Sequence, residues 1–282
     1  MAIFSNQATL TYNGTSTNSN IAYGEILDVL SVTKTAIEGT YTPDGAVTYV
    51  VTLRNTGSSA LTGLTVTDDL GGYTFAATVV YPLSYREGSA ALFVNGAPQP
   101  APAVTAGPPL SVTGITVPAG GDTVLVYQAD VTAFAPPTLE GTVVNTVTAA
   151  GGGVSATASE TVNAAIAPEL TISKSITPTQ VTDNDRVTYT FLIQNFGNEA
   201  VTAADNAAVT DTFDPVLTDL AVTFDAAAWA QGVNYTYDEA TGLFATVPGQ
   251  ITVPAATYTQ DAATGQYTVT PGTATLVVVG TI

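Results

Sequence analysis

The chain carries two lysines, Lys34 and Lys174, and each falls on the apolar face of the strand predicted around it. In Leu30-Ser31-Val32-Thr33-Lys34-Thr35 and Leu170-Thr171-Ile172-Ser173-Lys174-Ser175 the side chains of an extended segment alternate between two faces. Leu30, Val32 and Lys34 share one face; Leu170, Ile172, Lys174 and Ile176 share its counterpart. The opposite parity is serine and threonine. A charged amine in an apolar layer is costly unless it is paired or neutralised. The alternative is an amine at a strand end that snorkels to water.

Two aspartates and two asparagines have the same inward parity. Asp68 follows Leu64 and Val66, Asp211 follows Val209, Asn145 lies between Val143 and Val147, and Asn6 lies between Phe4 and Ala8. Burial favours the uncharged forms of lysine and aspartate. A neutral amine is a nucleophile, and a protonated carboxyl can donate to an asparagine carbonyl oxygen where charge develops. Attack expels ammonia and leaves an amide. The competing reading is a buried, hydrogen-bonded cluster with no new bond.

The elements that hold these groups recur. Val47, Tyr49, Val51 and Leu53 form an inward row followed by Arg54-Asn55-Thr56-Gly57; Val187, Tyr189, Phe191 and Ile193 form another, followed by Gln194-Asn195-Phe196-Gly197. Ile115-Thr116-Val117-Pro118-Ala119 returns unchanged as Ile251-Thr252-Val253-Pro254-Ala255. The offsets, 174−34 = 140, 195−55 = 140, 211−68 = 143 and 251−115 = 136, are nearly constant and indicate an internal duplication. We therefore read residues 1–28 as an N-terminal hairpin, 29–166 as a first domain and 167–282 as a second. The hairpin is expected to turn through a loop at Asn13 to Asn18 and to return over Ser19 to Leu27, the asparagine-glycine pair being a hairpin signal. Further turns are expected at Asn95-Gly96, at Gly151-Gly152-Gly153 and at Asp261 to Gly265.

The repeats differ at their ends. The first closes with a hairpin from Val143 to Asn163, whereas the second reaches Leu276-Val277-Val278-Val279. One alignment sets that end against Thr123 to Val131; a rival pairs Gly280-Thr281-Ile282 with Gly141-Thr142-Val143. On either, the counterpart of the Asn145 strand is missing, which predicts an apolar slot and an unpaired edge. Ser5-Asn6-Gln7-Ala8-Thr9-Leu10 resembles Val144-Asn145-Thr146-Val147-Thr148-Ala149, so the N-terminal hairpin reads as a closing hairpin detached from the second domain.

Composition sets the class. Short alternating runs rich in Thr, Val, Ala and Gly, with only 10% charged residues, predict an all-β sandwich architecture. Asp225 to Gln231 is the one stretch that reads as a helical turn. A net charge of −18 with five basic residues argues against nucleic acid and anionic membrane as partners. Without cysteine or histidine there are no disulfides, no thiolate or imidazole metal site and no histidine-based triad. The N-terminus lacks the basic and apolar regions of a secretory signal, and no run reaches membrane-spanning length. Asp183-Asn184-Asp185 lacks the glycine and distal glutamate of a calcium loop and reads as a polar turn. Trp229, Tyr235 and Tyr237 read as core, with a sugar-binding platform as the alternative.

Lys34, Val66-Thr67-Asp68 and Asn145-Thr146-Val147-Thr148, in that order, resemble the signatures of an immunoglobulin-like repeat of bacterial surface proteins. The family is catalogued as domain of unknown function eleven and is akin to the isopeptide-forming domains of Gram-positive fimbriae; the two-repeat arrangement is similar to clostridial proteins. The resemblance implies an Ig-like sandwich with a Lys34–Asn145 isopeptide bond promoted by Asp68. In the second domain it implies Lys174 with Asp211, and no asparagine in the matching position.

The expectation is thus a pair of Ig-like β-sandwich domains behind a donor β-hairpin, acting as a structural fibre subunit, such as a pilus or spore appendage. Phe4, Asn6, Ala8, Leu10 and Tyr12 would insert into the second domain of another copy. Asn6 would then meet Lys174 beside Asp211. Donor and acceptor are different surfaces, so the assembly would run head to tail as a homopolymer. No cofactor is implied, and no enzymatic activity beyond self-catalysed cross-linking. The expected location is extracellular, with a spore surface favoured by the missing signal. The alternative is a surface adhesin on Ig-like stalk domains.

Overall fold

A computed structural model describes residues 2–26 and 28–282, with side chains from Phe4 to Gly24 and from Asp28 onward. Every described regular element is a β-strand except a single 3-10 turn at Ala203–Asp205. The chain forms two immunoglobulin-like β-sandwiches and an N-terminal hairpin. One compact unit gathers 1–132 and 142–162, the other 133–141 and 163–282.

In the first unit one sheet runs Ala97–Pro98, Ala91–Val94, Asp122–Val131, Ala46–Asn55, Leu30–Ala36, each strand bonded to the next. The facing sheet runs Ala103–Thr105, Leu110–Val117, Leu61–Asp68, Thr142–Gly151, Val154–Ala164, Thr40–Tyr41. Alternation decides which residues meet between the layers. Val47, Tyr49, Val51 and Leu53 face Leu64, Val66, Leu70, Val143 and Val147, all buried. Each such side chain contributes about 1.5–3 kcal/mol by leaving water. The Lys34 strand pairs with the Val51 strand (Lys34 opposite Val51), and Asp68 lies opposite Val147.

The second unit repeats the first sheet: Leu170–Thr177, Arg186–Asn195, Gly272–Thr281, Thr218–Phe224, Ala227–Trp229. The duplication reaches atomic detail. Asn55 Nδ2 donates to Ser59 O (2.8 Å) and Pro118 O (3.1 Å), and its Oδ1 accepts from Gly57 N (2.9 Å). Asn195 does the same with Glu199 O (2.7 Å), Pro254 O (3.1 Å) and Gly197 N (2.9 Å). Register also chooses between the two alignments of the end. Tyr49 lies opposite Tyr127 and Tyr189 opposite Val278. Gly272–Thr281 is therefore the counterpart of Asp122–Val131, and the pairing of 280–282 with 141–143 falls.

The second sheet is where the units part. In the first, the Asp68 strand is flanked by Leu110–Val117 on one side and Thr142–Gly151 on the other. In the second, the Asp211 strand (Thr210–Thr212) pairs with Leu243–Thr246, which pairs with Tyr235–Asp238. Among the described residues no strand pairs with its other edge. The core opens there: Leu30 is 3% exposed, but Leu170 is 43% and Ile172 is 54% exposed.

Two local expectations change. Asp225 and Ala226 take left-handed φ values of 46° and 65°, so the stretch read as a helical turn is a tight hairpin joining Thr218–Phe224 to Ala227–Trp229. The Asp225 carboxylate accepts from Thr275 N (2.8 Å), fixing the turn against the neighbouring strand. Trp229 stacks on Phe224 with ring centroids 4.9 Å apart, and Tyr235 and Tyr237 are buried: these aromatics are core.

The N-terminal hairpin pairs Ala2–Asn6 with Ala22–Ile26 and Thr9–Tyr12 with Thr15–Asn18. Its turn is the two residues Asn13 and Gly14, with φ of 47° and 78°, and not the six-residue loop expected from the polar run. Thr15 to Asn18 is polar because both faces meet water. Leu27, the expected end of the returning strand, lies outside the described residues. Three residues, 19–21, oppose two, 7–8, in a bulge where Ala8 N donates to Ser19 Oγ (3.0 Å). Every side chain from Phe4 to Tyr23 is exposed, the apolar row included, and none of these strands joins a sandwich sheet.

Candidate functional site: two lysine clusters

In the first unit the strands bring Lys34, Asp68 and Asn145 into one buried cluster, and add two tyrosines. Lys34 Nζ donates to Asp68 Oδ2, with side chains 0% and 1% exposed. The Tyr127 hydroxyl donates to the same Oδ2, and Asp68 Oδ1 accepts from Leu70 N at 2.9 Å. The amine lies 4.5 Å from the Tyr49 ring centroid and 5.8 Å from that of Tyr127. Burial pushes the Lys34 amine below its ordinary value, against the opposing pull of Asp68. Burial likewise raises both tyrosines, so their hydroxyls keep their protons.

Asn145 is fully buried, and neither its Nδ2 nor its Oδ1 makes a hydrogen bond. It comes near enough to the Tyr49 and Tyr127 hydroxyls to oppose the rise that burial gives them, but without hydrogen-bond geometry. An amide left with both polar atoms unsatisfied in a core costs about 1–3 kcal/mol per group. The backbone of the next residue is nonetheless held firmly. Asp69 Oδ1 accepts from Thr146 N (2.8 Å), and Asp69 N donates to Thr146 O (3.0 Å). The arrangement holds a nucleophile of lowered basicity, a carboxyl touching it, and an amide bonded to nothing else. Tyr49 and Tyr127 are the residues that sequence reasoning passed over. Their signal was an inward parity that buries two hydroxyls.

In the second unit Lys174 Nζ donates to Asp211 Oδ2, and its amine lies 4.6 Å from the Tyr189 ring, 5.3 Å from Phe213 and 5.5 Å from Phe191. The pairing repeats the first cluster, but the side chains are 40% and 19% exposed. Val278 stands in place of Tyr127, and Phe213 in place of Leu70, so a large and a small side chain have changed sides. Asp211 thereby loses the tyrosine hydroxyl; its Oδ1 accepts from Thr212 N (3.0 Å). Lys174 has a carboxylate and three rings around it, while Asn6 stands exposed on its hairpin. Among the described residues no three His, Cys, Asp or Glu side chains gather as a metal site, and no helix is long and apolar enough to cross a membrane.

No family model matches the chain, and no curated protein matches it. Among solved structures it is similar to the major pilin subunit of Bacillus cereus, at 12% identity over 96% of this chain and 73% of that one, with a TM-score of 0.34. It is similar to a C-terminal fragment of the major pilin of Streptococcus agalactiae, at 10% identity over 87% and 91%, TM-score 0.34. It is similar too to the collagen-binding domain of a Staphylococcus aureus adhesin, at 14% identity over 49% and 99%, TM-score 0.29. At such identities the functional reading rests on the chain's own geometry.

Proposed function

We propose that the chain is a surface fibre subunit that polymerises by donating its N-terminal hairpin to the open edge of the second unit of another copy. An isopeptide bond inside each subunit and another between subunits reinforce the fibre. The observation that carries the reading is a matched pair of exposures. An apolar row, Phe4, Leu10 and Tyr12, lies in water on the hairpin, and an apolar floor, Leu170 and Ile172, lies in water on the strand whose Lys174 reaches the unpaired Asp211 strand. Joining them gives the strand its ladder hydrogen bonds and buries both surfaces.

The hairpins correspond in register. The offset 145−6 = 139 that sets Asn6 on Asn145 also sets the turn Asn13-Gly14 on Gly152-Gly153. Val147 lies opposite Asp68, so an inserted hairpin places Ala8 opposite Asp211 and Asn6 where the Lys174 amine needs an amide.

The bond chemistry is the same at both sites. A proton moves from the lysine Nζ to the aspartate Oδ2 along their contact, leaving a free amine and a carboxylic acid. Nζ attacks the asparagine Cγ; the Nζ–Cγ bond forms as the Cγ–Nδ2 bond breaks. The carboxyl supports the oxyanion and gives its proton to the departing NH2 group, which leaves as ammonia; the proton that Nζ sheds on becoming an amide passes back to the aspartate. No oxidant, metal or cofactor is consumed.

The test is denaturing electrophoresis of assembled material after boiling. Wild-type chains give a ladder; Asn6→Ala collapses it to monomer. A ladder unchanged by Asn6→Ala overturns the intersubunit bond.

A further inference from the structure

The two slots that a closing hairpin can fill differ in size at one matched position. In the first unit the register Val147–Asp68, Ala149–Val66, Ala150–Thr65 brings Gly151 opposite Leu64. The approach is close: a Cβ on Gly151 would lie 3.1 Å from Leu64 Cα and Cδ2 and from the Gly63 carbonyl oxygen, and its φ of 153° disfavours a side chain. Of these neighbours only Cδ2 belongs to the leucine side chain, and it is the one whose removal would open room for a side chain at position 151.

The second unit reverses both partners. The offset of 143 that relates Asp68 to Asp211 relates Leu64 to Ala207. Backbone conformation supports the match: Gly63 and Asn206, the residues just before, are both left-handed, with φ of 67° and 54°. Ala207 is half-buried against the core of the second unit. On the donor, the offset of 139 that relates Asn6 to Asn145 relates Tyr12 to Gly151. Tyr12 is 73% exposed on its own hairpin.

We propose that Tyr12 against Ala207 is the specificity determinant of assembly, so that the donor hairpin fits the second unit of another copy and is refused by the first. This rests on the donor-hairpin reading above. The tyrosine ring occupies the space that alanine leaves where Leu64 stands in the first unit. In a first-unit slot the same ring meets the Leu64 side chain. The hairpin therefore cannot displace Thr142–Gly151 and Val154–Ala164 from their own sheet, and polymerisation proceeds through one kind of junction only.

The experiment is a size exchange in the full chain, read as the ladder after boiling. Ala207→Leu narrows the acceptor to the width of the first slot and is expected to reduce the ladder at least tenfold. Tyr12→Gly combined with Ala207→Leu rebuilds the glycine–leucine pair and restores it. Ala207→Leu chains keep an intact donor, so mixed into wild-type protein they add to fibre ends and stop growth there, shortening the ladder. That shortening also shows that the variant is folded. A wild-type ladder from Ala207→Leu overturns the proposal. So does a double variant no better than Ala207→Leu when the latter terminates wild-type fibres. Failure of termination together with loss of the ladder counts against it equally. If instead Asn6→Ala leaves the ladder intact, it is the donor reading that has failed.

Discussion

An amide without partners beside a lysine of lowered basicity is a costly way to build a core and a useful way to make a bond. Asn145 carries the first burden and Lys34 the second. If the bond forms, the purified chain is lighter by one ammonia for the first unit, and Lys34→Ala or Asn145→Ala restores the full mass. The bond closes a loop of 145−34 = 111 residues, for which the chain-entropy model gives about 5 kcal/mol of stability. Asn145→Ala should lower the unfolding free energy by an amount of that order, measured by denaturant titration. Without the bond the lysine titrates. Its folded value is depressed below 10.5, so between the folded value and 10.5 the unfolded chain binds the extra proton and stability climbs with pH. Asn145→Ala should therefore gain stability as pH rises toward 10.5 relative to the Lys34→Met/Asn145→Ala double variant; parallel pH curves would contradict this. Lysine, aspartate and asparagine were legible in the sequence because parity alone exposes a polar group on an apolar face. Tyr49 and Tyr127 were not, since an inward tyrosine looks like any core aromatic until register shows what its hydroxyl touches.

At the scale of elements, strand alternation and turn chemistry made most of the sandwich readable, and register supplied the rest. The repeated Asn55 and Asn195 staples tie a strand end to two or three backbone carbonyls across each sandwich. Asn195→Ala leaves the Glu199 and Pro254 carbonyls and the Gly197 amide without their partner. It should cost about 1–3 kcal/mol by thermal or denaturant unfolding of the second unit. The hairpin loop was misjudged because Thr15-Ser16-Thr17-Asn18 is polar like a loop, yet its backbone pairs with Thr9–Tyr12 and its side chains face water. Asp225-Ala226 was misjudged because an alanine-rich run favours a helix in isolation, whereas pairing to Val222–Phe224 prevails in the folded chain. The exchange of Tyr127 and Leu70 for Val278 and Phe213 needed the observed pairing before it could be seen. It also predicts chemistry: Phe213→Leu/Val278→Tyr brings a hydroxyl to Asp211 and should speed closure of the intersubunit bond in a time course of ladder formation. A rate equal to or below wild type would mean that the hydroxyl at Tyr127 serves packing alone.

The whole molecule combines an open edge in one unit with an exposed hairpin carried by the other. Their surfaces are different, so under the proposed assembly each junction would leave one of each kind free and growth would continue as a filament. The most direct measurement mixes isotopically heavy and light chains, lets them assemble, and maps linked peptides by mass spectrometry. The expected product is a peptide joining Asn6 of one label to Lys174 of the other, lighter by one ammonia. Finding Lys174 unmodified in assembled fibres, or joined only to a residue of its own label, would contradict it.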